Sequence, residues 1–263
     1  MSFPTARPVG LLAVLLLAGC AAVPTAPTAP AAEPERAGED DAAVHDPWER
    51  MNRGIFAFNE GLDRWFLEPV ATGWDFVMPD PVELAIQRFF RNLDFPVVFA
   101  NDLLQAKPVA AVEDLGRFMI NSTVGVAGFF DPATHLGMPD SDEDFGQTLG
   151  VWGVPPGPYL VLPVLGPSNP RDTGGFVVDR ATLVYTWFLP WYVNFGSTSV
   201  STVNRRSRLL ETIREERKAA FDFYVAVRNA YVQRRENQVG DRKPKSEESD
   251  DDLYDVELLD DSQ

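Results

Sequence analysis

Two long stretches without any charged residue constrain the fold of this chain most. They cover residues 145–170 and 181–204. The first contains six prolines and five glycines, and the second is interrupted by Pro190 and Gly196, so neither is an ordinary membrane-spanning helix. In hydrocarbon, irregular backbone is tolerated only where protein buries it or where it lines a watery cavity. The two stretches therefore indicate either buried loops of a water-soluble protein or irregular backbone at membrane depth.

The second stretch is rich in aromatic side chains on both sides of Pro190. Trp187, Trp191 and Tyr192 combine apolar rings with polar tips, which suits the headgroup level of a membrane. We predict that these residues lie at a membrane interface, and a buried aromatic cluster is the alternative.

The beginning of the chain favours the membrane interpretation. Arg7 precedes an apolar run that is too short to span a bilayer, and Leu-Ala-Gly-Cys follows at residues 17–20. This order is typical of a bacterial lipoprotein signal, so we predict that residues 1–19 are removed and that Cys20 is acylated. A buried cysteine in a core helix is the alternative, but it does not explain the order of the segments. Ala21 carries no signal for retention in the inner membrane, which favours the outer membrane.

Charge divides the chain into a central domain and two polar ends. Residues 241–263 contain ten acidic and three basic side chains, residues 1–46 carry a net charge of −4, and a net charge of −5 remains for residues 47–240. We predict a flexible tether over residues 20–46, one domain over residues 47–240 and an acidic disordered tail over residues 241–263. The domain has no basic footprint for nucleic acid, and none is expected as a partner.

Hydrophobic periodicity predicts that this domain is all-α. Apolar residues recur at helical spacing over residues 82–93, after Pro81, and again over residues 109–122. The longest predicted helix runs from about residue 202 to residue 237 and has abundant charge outside its apolar stripe. Little strand alternation is present.

Catalytic signals in the sequence are weak. GQTLG at residues 146–150 imitates a nucleophile elbow with Thr148 in place of serine, but an elbow needs a preceding strand and a following helix. A glycine-rich turn is the interpretation we favour. Two histidines, His45 and His135, are too few for a His-rich metal site or a convincing triad. The acidic run at residues 140–144 suits a hard cation or a solvated loop. We predict no catalytic residue, no metal and no cofactor.

Five segments cover nearly the whole domain in order and begin at Asp46, Arg91, Arg117, Glu143 and Arg228. They read DPWERMNRGIFAFNEGLDRWFLEPVA, RNLDFPVVFANDLLQAKP, RFMINSTVGVAGFFDPA, EDFGQTLGVWGVPPGPYLVLPVLGPSNPRDTGG and RNAYVQRR. Together they resemble the MlaA family of outer-membrane lipoproteins, also called VacJ. One departure is Phe223, where the family pattern has proline, and we expect the last helix to continue unbroken there.

The resemblance implies a ring-like bundle of amphipathic helices in the inner leaflet, with Gly/Pro-rich irregular segments around a central pore. It also implies removal of misplaced phospholipid from the outer leaflet of the outer membrane. The implied partners are trimeric porins, a periplasmic lipid carrier and the inner-membrane ABC transporter that the carrier supplies. The alternative functions are a phospholipid hydrolase or acyltransferase, and a porin-associated scaffold that transports nothing.

Residues 121–131 are the candidate moving part of such a pore, because glycine permits backbone conformations that other residues resist. The candidates in this hairpin are Asn121, Gly125, Gly128, Phe129 and Asp131. A tight helix–helix connection is the alternative. Arg171 and Asp172 are candidates for polar residues on the pore side, or else they cap a turn.

Overall fold

The computed structural model describes residues 44–183 and 185–241, which form a helical protein with one short β-hairpin. Cys20, the signal segment, most of the tether and the tail from residue 242 lie outside the described residues. In chain order the elements are α1 (Glu49–Leu62), a π-helical turn (Asp63–Leu67), α2 (Glu68–Val77), α3 (Asp80–Leu104), α4 (Pro108–Thr123), α5 (Pro132–His135), α6 (Phe145–Val151), β1 (Leu160–Leu162), β2 (Gly166–Ser168), α7 (Pro170–Thr182), α8 (Tyr185–Phe188), α9 (Trp191–Arg208), α10 (Leu210–Ala219) and α11 (Phe223–Val239). The predicted all-α class is confirmed.

Helices α3 and α4 form a helical hairpin. Pro81 lies in the first turn of α3, where its missing N–H removes no helical hydrogen bond. The helix continues through Pro96 and ends eleven residues beyond the predicted boundary at residue 93. Phe95 stacks on Phe118 of α4 with ring centroids 4.3 Å apart, which joins the two helices. Both predicted helices are therefore confirmed, and α3 is longer than its apolar periodicity indicated.

The predicted helix over residues 202–237 is wrong, because three helices occupy this region. α9 ends at Arg208, α10 ends at Ala219, and Ala220 adopts an extended backbone. The Asp222 carboxylate then accepts a hydrogen bond from the Val225 N–H at 3.3 Å and caps α11. Phe223 does not continue a helix but begins one, at a position that also accepts proline. The cap sets the break, and the apolar stripe gives no sign of it.

The first uncharged stretch contains a β-hairpin whose backbone is held by α1. β1 and β2 pair antiparallel, with Val161 opposite Pro167. The Asn52 amide donates to the Tyr159 carbonyl at 3.0 Å, and its oxygen accepts from the Val161 N–H at 2.9 Å. Asn59, two helical turns later, donates to the Leu162 carbonyl at 2.9 Å. Protein side chains thus satisfy the backbone groups of this irregular stretch.

A small aromatic core packs the hairpin against α1 and α11. Its fully buried members are Tyr159, Val161, Tyr224 and Tyr231. Phe56 meets Tyr224 edge to face at 5.5 Å between centroids. Most of the other buried residues among those described are polar or charged.

Candidate functional site

Polar side chains lie inside this protein and large apolar side chains lie outside. Among the described residues, twenty buried residues are polar or charged and fourteen are hydrophobic. On the outer surface Trp65 is 88% exposed and Phe76 is 90% exposed. A water-soluble domain has the opposite distribution, and apolar surfaces of this extent mark contact with lipid or with another protein.

Helix α4 shows this inversion within one element. Val112 and Met119, assigned from the sequence to its apolar face, are exposed. Asp114 and Arg117 lie on the opposite face and are buried. The apolar stripe of α4 therefore points away from the protein, where lipid would satisfy it.

Across the described residues, no helix combines the length and the apolar character that crossing a bilayer requires. The apolar surface is instead assembled from several helices and loops. It includes Phe66 and Val77 near α2, Val109 on α4 and Phe188 on α8.

The predicted interfacial aromatics lie on this surface, at α8 and at the start of α9. Trp187, Trp191 and Tyr192 are between 61% and 66% exposed. The Trp187 indole N–H donates to the Ala181 carbonyl at 3.1 Å, so its polar edge is already satisfied. Their location in a membrane interface stays a prediction.

Six charged side chains from several elements lie close enough for their charges to influence one another. They are Arg91 and Asp94 of α3, Asp142 before α6, Arg180 of α7, Arg205 of α9 and Arg234 of α11. We call these six residues the inner charge cluster. Three of its members are held by ion pairs: Arg234 contacts Asp142 at 3.3 Å, and Arg91 contacts Asp140.

Asp94 and Arg205 are the two cluster members whose pKa values are shifted. Both side chains are exposed to water-sized solvent. Desolvation by surrounding protein nevertheless raises the pKa of the Asp94 carboxyl to about 6, and it lowers the pKa of the Arg205 guanidinium. Both groups are therefore accessible to water and flanked by protein. None of the six residues was predicted, because arginine and aspartate on helices usually mark a solvated face.

A buried ionic network fixes α9 and α10 against the π-helical turn. Arg206 is 1% exposed, and its guanidinium donates to the two Asp63 carboxylate oxygens at 2.8 and 2.9 Å. Arg217 donates to the same carboxylate at 3.0 Å. Burial alone would raise the pKa of Asp63, but its bonds to Arg206 and Arg217 outweigh that effect and hold the pKa below its ordinary value.

The structure brings Asn121 and Asp131, two candidates in the predicted hairpin, into contact. The Asn121 amide donates to Asp131 at 2.8 Å, and Arg117 donates to Asp131 at 2.7 Å. All three side chains are buried. The bonds close the base of the segment that connects α4 to α5.

Between these bonds, the chain makes a close turn. A Cβ added to Gly125 would lie 2.3 Å from the Phe130 carbonyl oxygen. Gly128 has φ +91°, and an added Cβ would lie 2.4 Å from Cβ of Asn92. Phe129 stacks on Phe89 with centroids 4.8 Å apart. The turn is closely packed against α3, and its role as a gate stays a prediction.

The structure places Arg171 and Asp172 between α7 and α11. Arg171 is buried and donates to Asp172 at 2.9 Å. Asp172 also accepts from the Tyr231 hydroxyl at 2.6 Å and from Arg235 at 2.8 Å. The side chain that caps α7 is Asn169, which accepts from the Asp172 N–H. No contact is observed between either candidate and the inner charge cluster, and their pore-side role stays a prediction.

The elbow-like segment is helical, so the interpretation as a glycine-rich turn is wrong. Residues 146–150 lie within α6, which Asp144 caps by accepting from the Gln147 N–H at 2.8 Å. Thr148 is buried and donates to Asn101 at 2.8 Å. The cap explains the difference, because it begins a helix despite the two glycines.

The acidic run at residues 140–144 is distributed among several basic partners. Glu143 contacts Lys107 at 3.0 Å, and Asp144 contacts Arg235 at 2.6 Å. Asp140 and Asp142 pair with arginines near the inner charge cluster. In the part of the chain that the structure describes, no group of three or more acidic, histidine or cysteine residues is arranged to hold a metal ion.

The fold and the site together define a helical protein with an apolar exterior and a largely polar interior. The chain belongs to the MlaA lipoprotein family, whose model matches residues 44–238.

Relatives and a solved structure agree with this assignment. The intermembrane phospholipid transport system lipoprotein MlaA of Haemophilus influenzae is 37% identical over 207 residues, covering 76% of this chain and 81% of the relative. The protein of the same name from Escherichia coli is 32% identical and covers 94% of this chain and 96% of the relative. A chain from work on the structural basis for maintenance of bacterial outer membrane lipid asymmetry superimposes with a TM-score of 0.65 at 33% identity, covering 74% of this chain and 98% of that chain.

Proposed function

We propose that this protein is an outer-membrane lipoprotein that removes misplaced phospholipid from the outer leaflet and so maintains lipid asymmetry. The observation that carries the proposal is the inverted distribution of side chains, with polar groups buried and large apolar groups exposed. A phospholipid headgroup crosses hydrocarbon at tolerable cost only when its charges stay hydrated or paired. A polar interior supplies that environment, while the apolar exterior remains in lipid.

The proposed mechanism is a conduit without covalent chemistry. The headgroup passes along the polar interior, and the acyl chains stay in apolar surroundings. Thr148 and His135 have no part in this mechanism, so their replacement by alanine leaves lipid transport intact. The names of the relatives from H. influenzae and E. coli, which state phospholipid transport, support this function.

We propose that acylated Cys20 anchors the protein to the periplasmic side of the outer membrane. The support is the Leu-Ala-Gly-Cys pattern at residues 17–20. Cys20→Ala should leave unprocessed precursor and abolish stable outer-membrane fractionation. Normal acylation and sorting of this variant would contradict the anchor.

The proposed partners follow from the family resemblance. Trimeric porins would cover part of the exposed apolar surface, and a periplasmic carrier would receive the lipid and pass it to an inner-membrane ABC transporter. Large exposed apolar side chains such as Trp65 and Phe76 support contact with lipid or protein, without specifying the partner.

A deletion strain tests the function directly. A membrane-impermeant amine reagent labels phosphatidylethanolamine in the outer leaflet, and the strain should show more labelled lipid than the parent. Expression of the wild-type chain should restore the parental level. Equal labelling in the two strains would contradict the transport function. In parallel, release of fatty acid from phospholipid by the purified chain would support the hydrolase instead.

A further inference from the structure

A surface cavity of about 540 Å³ lies between the start of α4 and the end of α11. Val109 and Ala110 form part of its apolar wall, and Glu113, Glu143 and Asp241 place three carboxylates around it. Val109 is 70% exposed, so this wall faces outwards. An apolar wall surrounded by carboxylates is complementary to a chain segment that carries positive charge.

Two of the three carboxylates are already paired, and the third is free. The Lys107 ammonium donates to Glu143 at 3.0 Å and to Asp241 at 2.5 Å. The Gln105 amide also donates to Glu143, at 2.7 Å. Glu113 is half-buried, and within the described part of the chain no hydrogen bond or ion pair engages it. Its carboxylate is therefore available to a cationic side chain.

The chain continues from this cavity directly into its basic residues. Asp241 has a φ of 51°, a left-handed conformation that ends a helix and turns the chain away from the helix axis. Because its side chain is bonded to Lys107, the next residue starts at the rim of the cavity. Residues 242–245 read RKPK and contain all three basic side chains that follow residue 240. Each residue extends the chain by at most about 3.6 Å, so this segment is within reach of the cavity.

We propose that residues 242–245 dock in this cavity and that their basic side chains pair with Glu113. Partly exposed ion pairs are individually weak, but the segment is joined to the rim of the cavity, so its effective concentration there is high. Pro244 restricts its own backbone and that of Lys243, which lowers the conformational entropy that docking costs. The docked segment covers the exposed apolar wall and fixes the point at which the acidic remainder of the tail leaves the domain.

Pulsed electron paramagnetic resonance between two nitroxide labels tests the docking in detergent. The chain is made without residues 1–19 and with Cys20→Ala, which removes its only cysteine. Labels are attached at Met119→Cys, an exposed position of α4, and at Ser246→Cys, directly after the docked segment. Positions 110 and 119 of α4 are about 14 Å apart along the helix axis, so docking should give one short and narrowly distributed distance.

Charge reversal tests the cause of the docking. Glu113→Lys should broaden the distance distribution and shift it to longer values, because the cavity then repels the basic side chains. Adding Arg242→Glu, Lys243→Glu and Lys245→Glu to this variant should restore the narrow distance. Glu215→Lys is the matched control, because it reverses an exposed charge on α10, outside the cavity, and should leave the distance unchanged. Circular dichroism checks that each variant folds, which is expected because Glu113 holds no structural bond.

A broad distribution in the parent chain, or a narrow one in the Glu113→Lys chain, would overturn the docking. The doubly labelled chain is also diluted into an excess of unlabelled chain, where the narrow distance should persist. Its loss on dilution would assign the cavity to the tail of a second copy and would overturn the contact within one chain. None of these results bears on lipid transport, which the deletion strain tests separately.

Discussion

Arg206 shows at the scale of one residue how this interior tolerates charge. Its guanidinium is almost fully buried and pairs with Asp63 through two hydrogen bonds. We expect Arg206→Gln to lower the free energy of unfolding by about 3 kcal/mol, because the buried Asp63 carboxylate loses two charged hydrogen bonds and keeps only the one from Arg217. Thermal unfolding in detergent measures the change.

A double variant and a surface control test the cause of that loss. Arg206→Gln combined with Asp63→Asn removes the buried charge and should recover part of the stability. Arg64→Gln removes an exposed partner of Glu60 at 3.5 Å and should cost less than about 1 kcal/mol. An Arg206→Gln protein as stable as the control would contradict the role of the pair.

The same region shows what the sequence could not predict about single residues. Residues 205–208 read RRSR, yet Arg205 is exposed while Arg206 is buried against Asp63. The letters are identical, and only the packing of α9 against α2 and α3 assigns them to different faces. The predicted acylation of Cys20 is the opposite case, since its signal is a short local pattern in the sequence.

The Asp102 and Asp114 side chains form a buried acidic pair between α3 and α4. Burial and the neighbouring charges of Asp114 and Glu143 raise the pKa of Asp102 well above its ordinary value, although Lys107 opposes the shift. The folded protein therefore keeps a proton that the unfolded chain releases near about pH 4. Stability should fall as the pH rises from that value, by at most about 1.4 kcal/mol per pH unit.

Asp102→Asn should remove this dependence, because the asparagine side chain carries no titrating proton. Unfolding midpoints of the two proteins, compared from about pH 5 to pH 8, should diverge, with the variant gaining relative stability as the pH rises. Other titrating groups act equally on both proteins. Parallel curves would show that the Asp102 proton has no part in stability.

The backbone of the turn between α4 and α5 is strained. Val126 and Ala127 both have positive φ values, 52° and 59°, which L-residues adopt at a cost of about 1–2 kcal/mol each. Ala127→Gly should therefore stabilise the protein. Gly128→Ala should destabilise it by about 1–3 kcal/mol, because φ is +91° and the new Cβ meets Asn92. Unfolding in detergent measures both changes, and a loss of stability in Ala127→Gly would contradict the assignment of strain.

The hinge hypothesis for this turn makes a different prediction from close packing alone. If residues 121–131 gate the pore, Gly125→Val and Gly128→Val proteins should be acylated and abundant, yet they should fail to clear phospholipid or should leak it outward. If the glycines only permit close packing, protein abundance and lipid clearance should fall in proportion. Quantifying both in one set of strains distinguishes the two, and proportional loss would end the gate hypothesis.

Element boundaries were predictable where the signal is local. Helices α3 and α4 begin close to Pro81 and Pro108, and their apolar spacing is regular. The prediction of a single helix over residues 202–237 failed because the apolar stripe continues across the break before α11. Asp222, which caps α11, therefore gave no visible sign of a helix start. The sequence also could not predict which face of each helix points into the protein, because periodicity identifies an apolar stripe without showing whether protein or lipid covers it.

At the scale of the whole molecule, the exposed apolar surface predicts membrane association without the lipid anchor. A chain made without residues 1–19 and carrying Cys20→Ala should still float with phosphatidylethanolamine and phosphatidylglycerol vesicles. Burying one large apolar side chain contributes about 1.5–3 kcal/mol, and each 1.4 kcal/mol corresponds to about a tenfold change in partitioning. Phe76 is 90% exposed, so Phe76→Glu in this chain should reduce flotation by about tenfold or more. Gln233→Glu introduces the same carboxylate on an exposed position of α11 and should leave flotation unchanged. If Phe76→Glu floats as well as the control, this surface does not contact lipid, and a protein partner must cover it.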